Sequence, residues 1–364
     1  VSEHNCSHVY AGREFGVDEI DRDKKVKTSL LKSGIQFDVV DDQTIIPVEK
    51  VTTQQGNGYL VFSPFRKKWD SIFPSSFVGT PLPIPVQQKV DISSDHVPTE
   101  IAGFKNSGLM DYWLPGESEA IVRRDHFLES LVDNYHASRD YPILDSTSTL
   151  SPWLAVGAIS PLTCLLPLIE RMGSNPTTWS IGARTWQSEL VWRDFYRQLM
   201  WNNPRVSKNK PLKQWTENVP WKNDINGFNN WRNGNTGVPI IDAAMKQLLN
   251  TGWMHNRLRM VTAMFLTKNL LIDWRLGERY FAEKLVDYDF ASNNGGWQWA
   301  ASTGADSVPY FRIFNPLLQA KRFDAENKFS DKWNLGEKIM NPIVDLSKSR
   351  LRAIAAFKEA QLTA

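Results

Sequence analysis

The stretch DYDFASNNGGWQWAAS at residues 287–302 is the part of this chain that indicates most clearly which kind of ligand it binds. It combines two aspartates, two asparagines, two glycines and two tryptophans, a mixture that a hydrophobic core does not require. Carboxylates and amides can hydrogen-bond the edge of a flat heteroaromatic ligand, and tryptophan can stack on its face. We therefore expect a flavin or a nucleobase to bind here, on a segment made flexible by Gly295 and Gly296.

The composition is that of a globular protein with one basic, tryptophan-rich region. The chain has 364 residues, 41% of them hydrophobic, and a net charge of +2, and it is long enough for two domains. Residues 184–260 contain twelve Lys or Arg and five Asp or Glu, and residues 184–299 contain ten of the fifteen tryptophans. Basic residues interleaved with aromatic ones favour nucleic acid as a partner. A solvated basic face over an aromatic core would give the same composition.

Cysteine, histidine and hydropathy patterns exclude several classes of protein. Cys6 and Cys164 are the only cysteines, and no HExxH motif occurs. We therefore expect a reducing compartment, no disulfide framework and no catalytic metal. With no signal peptide and no apolar run of membrane-spanning length, we expect a cytoplasmic protein that does not contact membranes.

The chain divides by pattern into three parts. In residues 1–72, His8–Phe15 and Gln36–Val40 predict strands with a helix over Asp18–Lys32 between them, an α/β unit too small to close a core. Residues 73–116 contain a Pro- and Ser-rich run that predicts a linker. Residues 117–364 have helical periodicity and predict an all-α domain.

Three further clusters carry groups that a core does not need. Four hydroxyls at 147–151, with Ser151 at a helix N-cap and Pro152 after it, suit a phosphate, although plain capping is the alternative. Residues 184–200 predict a helix with a polar aromatic stripe within an arc of about 120°, and His255 opens a second helix. A buried Glu and Arg need partners or a ligand, whereas a solvated ion pair would explain them equally well. The stripe consists of Trp186, Glu189, Trp192, Arg193 and Tyr196, and the face of the second helix consists of Asn256, Arg259, Met260 and Ala263.

Together these clusters resemble the DNA photolyase/cryptochrome family, and bacterial class I cyclobutane pyrimidine dimer photolyases most closely. The resemblance covers Tyr135–Phe323 and rests on TSTLSPWLAVGAIS at 147–160, WQSELVWRDFY at 186–196, TGVPIIDAAMKQL at 236–248, TGWMHNRLRM at 251–260 and residues 287–306. It implies an incomplete Rossmann-like α/β antenna domain, a linker and an all-α domain that binds FAD. It also implies a monomer.

The resemblance implies a set of FAD ligands. Asp287 would pair with Arg259 across the isoalloxazine ring, Asp289 would accept from the polar edge of the ring, and Asn293 would face flavin N5. The other implied ligands are Tyr135, Thr147, Ser148, Thr149, Leu150, Ser151, Trp186, Glu189, Arg193, Tyr196 and Asn256.

The resemblance implies, at the substrate end, repair of pyrimidine dimers in DNA, with the dimer flipped out of the duplex. Glu189 and Asn256 would hydrogen-bond the pyrimidines, Trp192 and Trp299 would pack on the bases, and Met260 would close the site. Phosphates would contact Arg139, Arg257 and Arg312. In the family, light-excited FADH⁻ gives an electron to the dimer and regains it after the cyclobutane ring opens.

Two accessory functions follow from the same resemblance. Trp297, Trp274 and Trp221 would form the chain that photoreduces FAD. Glu19 and Lys208 match ligands of an antenna folate of the methenyltetrahydrofolate type, although Asp18 stands where relatives often have Asn. The strands that relatives have before the equivalent of His8 are absent from this numbering, and the segment between Trp333 and Pro342 is shorter than in relatives. We therefore expect full FAD occupancy and weak or no antenna binding.

Two other functions remain open from sequence. A cryptochrome-type photoreceptor would not repair DNA, but plant receptors tend to have Asp where this chain has Asn293. Histidines occupy the positions of Asn256 and Met260 in (6-4) photolyases and their animal relatives, and receptors usually extend in a long tail beyond the equivalent of Ala364. A basic DNA-binding module without a cofactor would not explain Asp287 and Asp289.

Overall fold

The computed structural model describes residues 5–76, 93, 95–99, 101–103, 108–336 and 340–364, and these are mostly helical. The strands are β1 (His8–Gly12) and β2 (Gln36–Val40). The first helices are α1 (Val17–Lys32), α2 (Phe62–Ser76), α3 (Glu117–Ser130), α4 (Tyr135–Ser138), α5 (Ser151–Ala155), α6 (Pro161–Met172) and α7 (Ile181–Asn202). The later ones are α8 (Ile225–Arg232), α9 (Pro239–Thr251), α10 (Asn256–Met264), α11 (Trp274–Lys284), α12 (Phe290–Ala301), α13 (Pro316–Phe323), α14 (Lys328–Asn334) and α15 (Leu346–Leu362).

The N-terminal part is a single β–α–β unit. β1 and β2 pair in parallel, with His8 opposite Gln36, and α1 connects them without burying a residue. Parallel strands need such a crossover helix. The two predicted strands and the helix between them are therefore confirmed, but β1 ends at Gly12 instead of Phe15. Phe15 turns away from the sheet and is buried beside Met200 and Val206.

The segment after the sheet packs into the helical part. Ile46, Val51, Phe65, Trp69 and Phe73 are buried in one core with the residues of α7. Helix α2 runs to Ser76, so the predicted limit at residue 72 falls inside a helix. The rest of the predicted linker lies partly outside the described residues, at 77–92, 94, 100 and 104–107. The division at 72 and 116 stays a prediction.

The two long helical predictions differ in outcome. Helix α7 is confirmed, with Ser180 as its N-cap accepting from the amide of Ala183 at 3.2 Å. Helix α10 begins at Asn256, where His255 Nδ1 accepts from the amide of Arg257 at 3.1 Å. Beyond Met264 the chain continues as a π-helical turn over Phe265–Leu270, so the α-helix that follows His255 ends at Met264.

Two local predictions were wrong. Ser151 is not an N-cap: it is the first residue of a helix of five residues, and its hydroxyl accepts from Trp253 Nε1 at 3.3 Å. Gly295 and Gly296 lie inside α12 and do not make a flexible segment. A Cβ on Gly295 would lie 2.1 Å from Tyr196 Cδ1, so this glycine permits α12 to pack closely on α7.

Candidate functional site

A cavity of about 530 Å³ lies between α7, α10, α12 and the segment 147–155. It is within the size range of small-molecule and cofactor sites. All the residues predicted to bind the cofactor or the pyrimidines line it: Tyr135, Thr147, Ser148, Thr149, Leu150, Ser151, Trp186, Glu189, Trp192, Arg193, Tyr196, Asn256, Arg259, Met260, Asp287, Asp289, Asn293 and Trp299. Residues more than 160 positions apart in the chain thus share one cavity.

An ion pair holds one wall of the cavity. Arg259 Nη2 donates to Asp287 Oδ2 at 2.7 Å, and Arg259 Nε donates to the carbonyl of Met254 at 2.7 Å. Asp287 is 6% exposed, and its Oδ1 is buried with no hydrogen-bond partner among the described residues. A buried carboxylate oxygen without a donor is costly, so this atom needs a ligand that donates.

The amide of Asn293 is oriented by the backbone of α11. Its Nδ2 donates to the carbonyl of Glu278 at 3.0 Å, and the residue lines the cavity. With the nitrogen engaged, the side-chain carbonyl is left as the acceptor. This arrangement suits a ligand N–H, and it agrees with the predicted place of Asn293 at flavin N5, which stays a prediction.

Asp289, which is predicted to bind the edge of the flavin ring, also caps α12 and forms an ion pair. Its Oδ1 accepts from the amide of Ser292 at 2.8 Å, which caps α12, and its Oδ2 pairs with Arg197 Nη2 at 2.5 Å. Burial raises the pKa of Asp289, but Arg197 and Arg193 together hold that pKa below its ordinary value. A ligand at the cavity therefore meets a charged carboxylate whose orientation is already fixed.

Arg193 joins the cavity to the N-terminal segment. Its guanidinium donates to the carbonyl of Gln43 and, at 3.3 Å, to that of Leu154. Burial lowers the pKa of Arg193 to about 10. Because a buried guanidinium needs acceptors, residues before 117 complete the environment of a residue in the cavity.

A chain of alternating charges begins at Arg139 and Glu189, which line the cavity, and continues to Asp140 and Arg257, which do not. Arg139 Nη1 donates to Glu189 Oε1 at 2.5 Å, and Asp140 lies 4.0 Å from Arg139 and 2.7 Å from Arg257. Burial raises the pKa of Glu189, whereas Arg139 lowers it. Two of the three arginines predicted to contact phosphates thus already have carboxylate partners, while Arg312 lies on the exposed surface.

The three predicted electron-transfer tryptophans lie on adjacent elements. Trp297 in α12 and Trp274 at the start of α11 are 3% and 1% exposed, and Trp221 is partly buried. A Cβ on Gly277, one turn after Trp274, would lie 2.1 Å from Trp297 Cη2. The bridge between Lys222 and Ile272 brings the Trp221 segment beside the start of α11. Of the three, only Trp297 lines the cavity.

The predicted antenna ligands lie on neighbouring segments. Glu19 is in the first turn of α1, and the amide of Val17 donates to Ser207 Oγ at 3.2 Å, next to the exposed Lys208. Their role as ligands stays a prediction.

Sequence reasoning missed four residues that shape the site: Gln43, Arg197, Trp253 and His255. The last two line the cavity and lie within the TGWMHNRLRM motif, which marked them without assigning a role. Arg197 follows Arg193 by four residues, so helical spacing could have placed it beside the stripe. No sequence signal connects Gln43 to the cavity, because its contact depends on tertiary packing.

Among the described residues, no helix is long and apolar enough to cross a membrane, and no group of three or more His, Cys, Asp or Glu could hold a metal ion.

Comparison with known proteins identifies the family. Residues 186–334 match the FAD binding domain of DNA photolyase, and residues 1–86 match the DNA photolyase family model. The chain is 41% identical over 331 residues to the deoxyribodipyrimidine photo-lyase of Vibrio cholerae, covering 90% of this chain and 70% of that one. It is 38% identical over 384 residues to that of Buchnera aphidicola, covering 99% and 78%.

A solved structure agrees with this assignment over the whole fold. The bacterial class III photolyase of Agrobacterium tumefaciens superposes with a TM-score of 0.86 at 32% identity, covering 99% of this chain and 81% of that one. The chain belongs to the DNA photolyase/cryptochrome family, and the predicted fold class is confirmed.

The residues of the cavity fit the FAD that this family binds. The unpartnered Asp287 oxygen and the oriented Asn293 carbonyl offer acceptors for the N–H groups of a reduced flavin ring. Gly296 lines the cavity, and a Cβ there would meet no protein atom within 4 Å, so this wall leaves open space for a ring.

Proposed function

We propose that this protein is a deoxyribodipyrimidine photo-lyase, which uses light to split cyclobutane pyrimidine dimers in DNA. One observation carries the proposal: the groups that suit a flavin and the groups that suit a pyrimidine pair line a single cavity. Asp287, Arg259 and Asn293 form the first set. Glu189, Trp192, Asn256, Met260 and Trp299 form the second. Electron transfer between two bound partners requires this kind of proximity.

The flavin would be held by the residues already described. The Asp287 carboxylate and the Asn293 carbonyl would accept hydrogen bonds from the ring edge, and Tyr135 with the hydroxyls of 147–151, which line the same cavity, would hold the rest of the cofactor. Bound FAD, in its reduced form, supplies the light-excited electron that opens the cyclobutane ring. The protein itself needs to orient both molecules and to exclude water from between them.

The substrate residues then have distinct tasks. Glu189 and Asn256 offer hydrogen bonds to the polar edges of the two pyrimidines, while Trp192 and Trp299 offer aromatic faces. The dimer is poorly stacked within a duplex, so flipping it into the cavity costs less than flipping a normal base pair. Arg139, Arg257 and Arg312 would hold the DNA backbone by charge.

The oligomeric state, the compartment and the photolyase class rest on this proposal. We infer that the protein acts as a monomer in the cytoplasm, on dimers flipped out of DNA. Assignment to class I stays a prediction, since the structural neighbour from Agrobacterium tumefaciens is a class III photolyase.

The test is a repair assay on purified, flavin-loaded protein. An oligonucleotide with one thymine dimer is incubated under blue light or in the dark. Restored thymines are measured by the rise in ultraviolet absorbance and by chromatography. Repair under light alone supports the proposal. Flavin photoreduction without repair would favour the photoreceptor function instead.

A further inference from the structure

Trp192 is covered on one face by an aromatic ring from the N-terminal segment. The rings of Phe62 and Trp192 stack with centroids 3.6 Å apart and an interplanar angle of 5°. At that separation the two rings overlap almost completely, so one face of the indole is closed to any other ring. Trp192 lines the cavity and Phe62 does not, so Phe62 lies behind Trp192.

Phe62 is the first residue of α2, and α2 is fixed to the helix that carries Trp192. Trp69 Nε1 donates to Asp194 Oδ2 at 3.0 Å, and Arg66 Nη2 donates to Gln187 Oε1 at 2.6 Å. Asp194 and Gln187 both belong to α7. These two contacts flank Trp192 along α7 and hold α2 against it.

Asp306 fixes the start of α2 from the other side. Its amide donates to the carbonyl of Leu60 at 3.1 Å, and its carboxylate faces the backbone amide of Phe62. Asp306 has a positive φ of 45°, a conformation that Asp and Asn tolerate better than other residues with a Cβ. Asp306 ends the 287–306 stretch that resembles the photolyase family, yet it does not line the cavity.

From these contacts we propose that Phe62, held by Asp306, is a positioning residue for recognition of the pyrimidine dimer. Phe62 fixes the plane of Trp192 and leaves one indole face for the flipped-out bases. Without Phe62 the indole keeps, among the described residues, ring contacts only with Phe195 and Tyr196 of its own helix, so its plane is less fixed and binding the dimer costs the entropy of ordering it. This inference rests on the proposed function.

Phe65 provides the matched control, because it is a core residue of the same helix one turn later. Its ring contacts Tyr59, Phe62 and Phe195 and not Trp192. A Phe→Leu change at either position removes an aromatic ring from the same core. Only the change at position 62 removes the ring that covers Trp192.

The experiment compares Phe62→Leu, Phe62→Tyr and Phe65→Leu in the flavin-loaded protein. The dissociation constant for a dimer-containing oligonucleotide and for the same undamaged oligonucleotide is measured in the dark. The flipped-out bases stack on Trp192 and not on Phe62. We expect Phe62→Leu to weaken that stacking and to lower the affinity for the dimer about tenfold. In Phe62→Leu, the affinity for undamaged DNA and the flavin content should be unchanged. Phe62→Tyr should retain the wild-type preference for the dimer.

Asp306 gives a second pair of variants. Asp306→Asn keeps an acceptor and tolerates the positive φ, so dimer preference should persist, whereas Asp306→Ala should reduce it as Phe62→Leu does. Equal preference for the dimer in Phe62→Leu, Phe65→Leu and the wild type would overturn the inference and leave the proposed function standing. A wild-type protein with no preference for dimer-containing DNA and no repair would overturn both.

Discussion

The carboxylates of this site differ in their roles because their hydrogen-bond partners differ. Asp289 is held by Arg197 and by the amide of Ser292, whereas Asp287 keeps, among the described residues, an oxygen without a donor beside Arg259. The same logic applies to Glu189, whose partner Arg139 takes one oxygen and leaves the other side of the carboxylate to the cavity. Pairing therefore decides which oxygens of each acidic group are available to a ligand.

We expect Glu189→Gln to retain FAD and to lower repair. The amide keeps an acceptor but loses the charge that strengthens a hydrogen bond to the pyrimidine edge. Hydrogen bonds to charged groups contribute about 1.5–3 kcal/mol and neutral ones about 0.5–1.5 kcal/mol, so a loss of roughly five- to tenfold is expected. The measurement is repair per absorbed photon together with the flavin absorption of the purified variant.

Glu217→Gln is the matched control, since Glu217 pairs with Arg205 at 2.8 Å and does not line the cavity. It should repair like the wild type. A Glu189 variant with undiminished repair would remove this residue from the substrate site.

Asp194 should make stability depend on pH in a direction opposite to that of an ordinary ion-paired carboxylate. It accepts from the amides of Ile45 and Ile46 and from Trp69 Nε1, yet burial raises its pKa to about 6. Its pKa in the unfolded chain is about 3.9, so the folded state binds more protons between these values. This group's contribution to the free energy of unfolding therefore rises as pH falls from 7 to 4.

The test is urea unfolding at pH 7 and pH 5 for the wild type and Asp194→Asn. The variant should lose that part of the pH dependence, a change of about 1–3 kcal/mol. Parallel pH profiles for the two proteins would show that Asp194 does not titrate in this range.

The residues that sequence could and could not place differ in how they reach the site. Glu189, Arg193 and Tyr196 were placed on one face because helical spacing fixes side chains relative to each other. Phe62 and Gln43 reach the same site through tertiary packing across more than 120 positions, for which one sequence has no signal. Ser151 misled because a serine before a proline favours a cap, and only the structure shows its hydroxyl bonded to Trp253.

At the level of elements, the packing of α12 depends on two glycines with different surroundings. A Cβ on Gly295 would overlap Tyr196 at 2.1 Å, whereas a Cβ on Gly296 would enter the open cavity. Gly295→Ala should therefore cost about 1–3 kcal/mol of stability through overpacking. Gly296→Ala should leave stability equal or higher, because Ala favours a helix by about 1 kcal/mol over Gly, but it should weaken FAD binding.

The two variants are each other's control. Thermal unfolding of the flavin-free proteins and the dissociation constant for FAD separate the two effects. Loss of stability in Gly296→Ala with normal flavin affinity would contradict the assignment of this wall to the cofactor.

The three elements carrying Trp297, Trp274 and Trp221 lead to a second prediction at this scale. Trp221→Phe should block light-driven reduction of oxidised FAD but leave repair intact once the flavin is chemically reduced. The reason is that Trp221 does not line the cavity and cannot lie between cofactor and substrate. Photoreduction is followed by flavin absorbance under blue light.

Trp215→Phe controls for disturbed packing, because Trp215 and Trp221 both contact the ring of Phe357, at 6.4 and 5.7 Å. It should photoreduce normally. If both variants fail alike, the aromatic cluster around Phe357 is being perturbed rather than an electron path.

For the whole molecule, the boundary between the N-terminal part and the helical part matters most. Sequence placed the end of the first domain at residue 72, whereas five side chains between Ile46 and Phe73 are buried in one core with residues of α7. The five large apolar side chains of this segment each contribute about 1.5–3 kcal/mol on burial, roughly 7–15 kcal/mol in total. That is as large as the net stability of a typical domain, about 5–15 kcal/mol.

We therefore predict that a chain starting at Asp41 folds and binds FAD, whereas one starting at Glu117 does not. The first loses the β–α–β unit, whose helix α1 buries no residue, and keeps the acceptor at Gln43 for Arg193. The second loses that acceptor, the donors to Asp194 and the ring behind Trp192. Soluble yield, flavin per protein and cooperative thermal unfolding are measured for both. A chain from Glu117 that unfolds cooperatively with bound flavin would show that residues 41–76 only cover a helical domain able to stand without them.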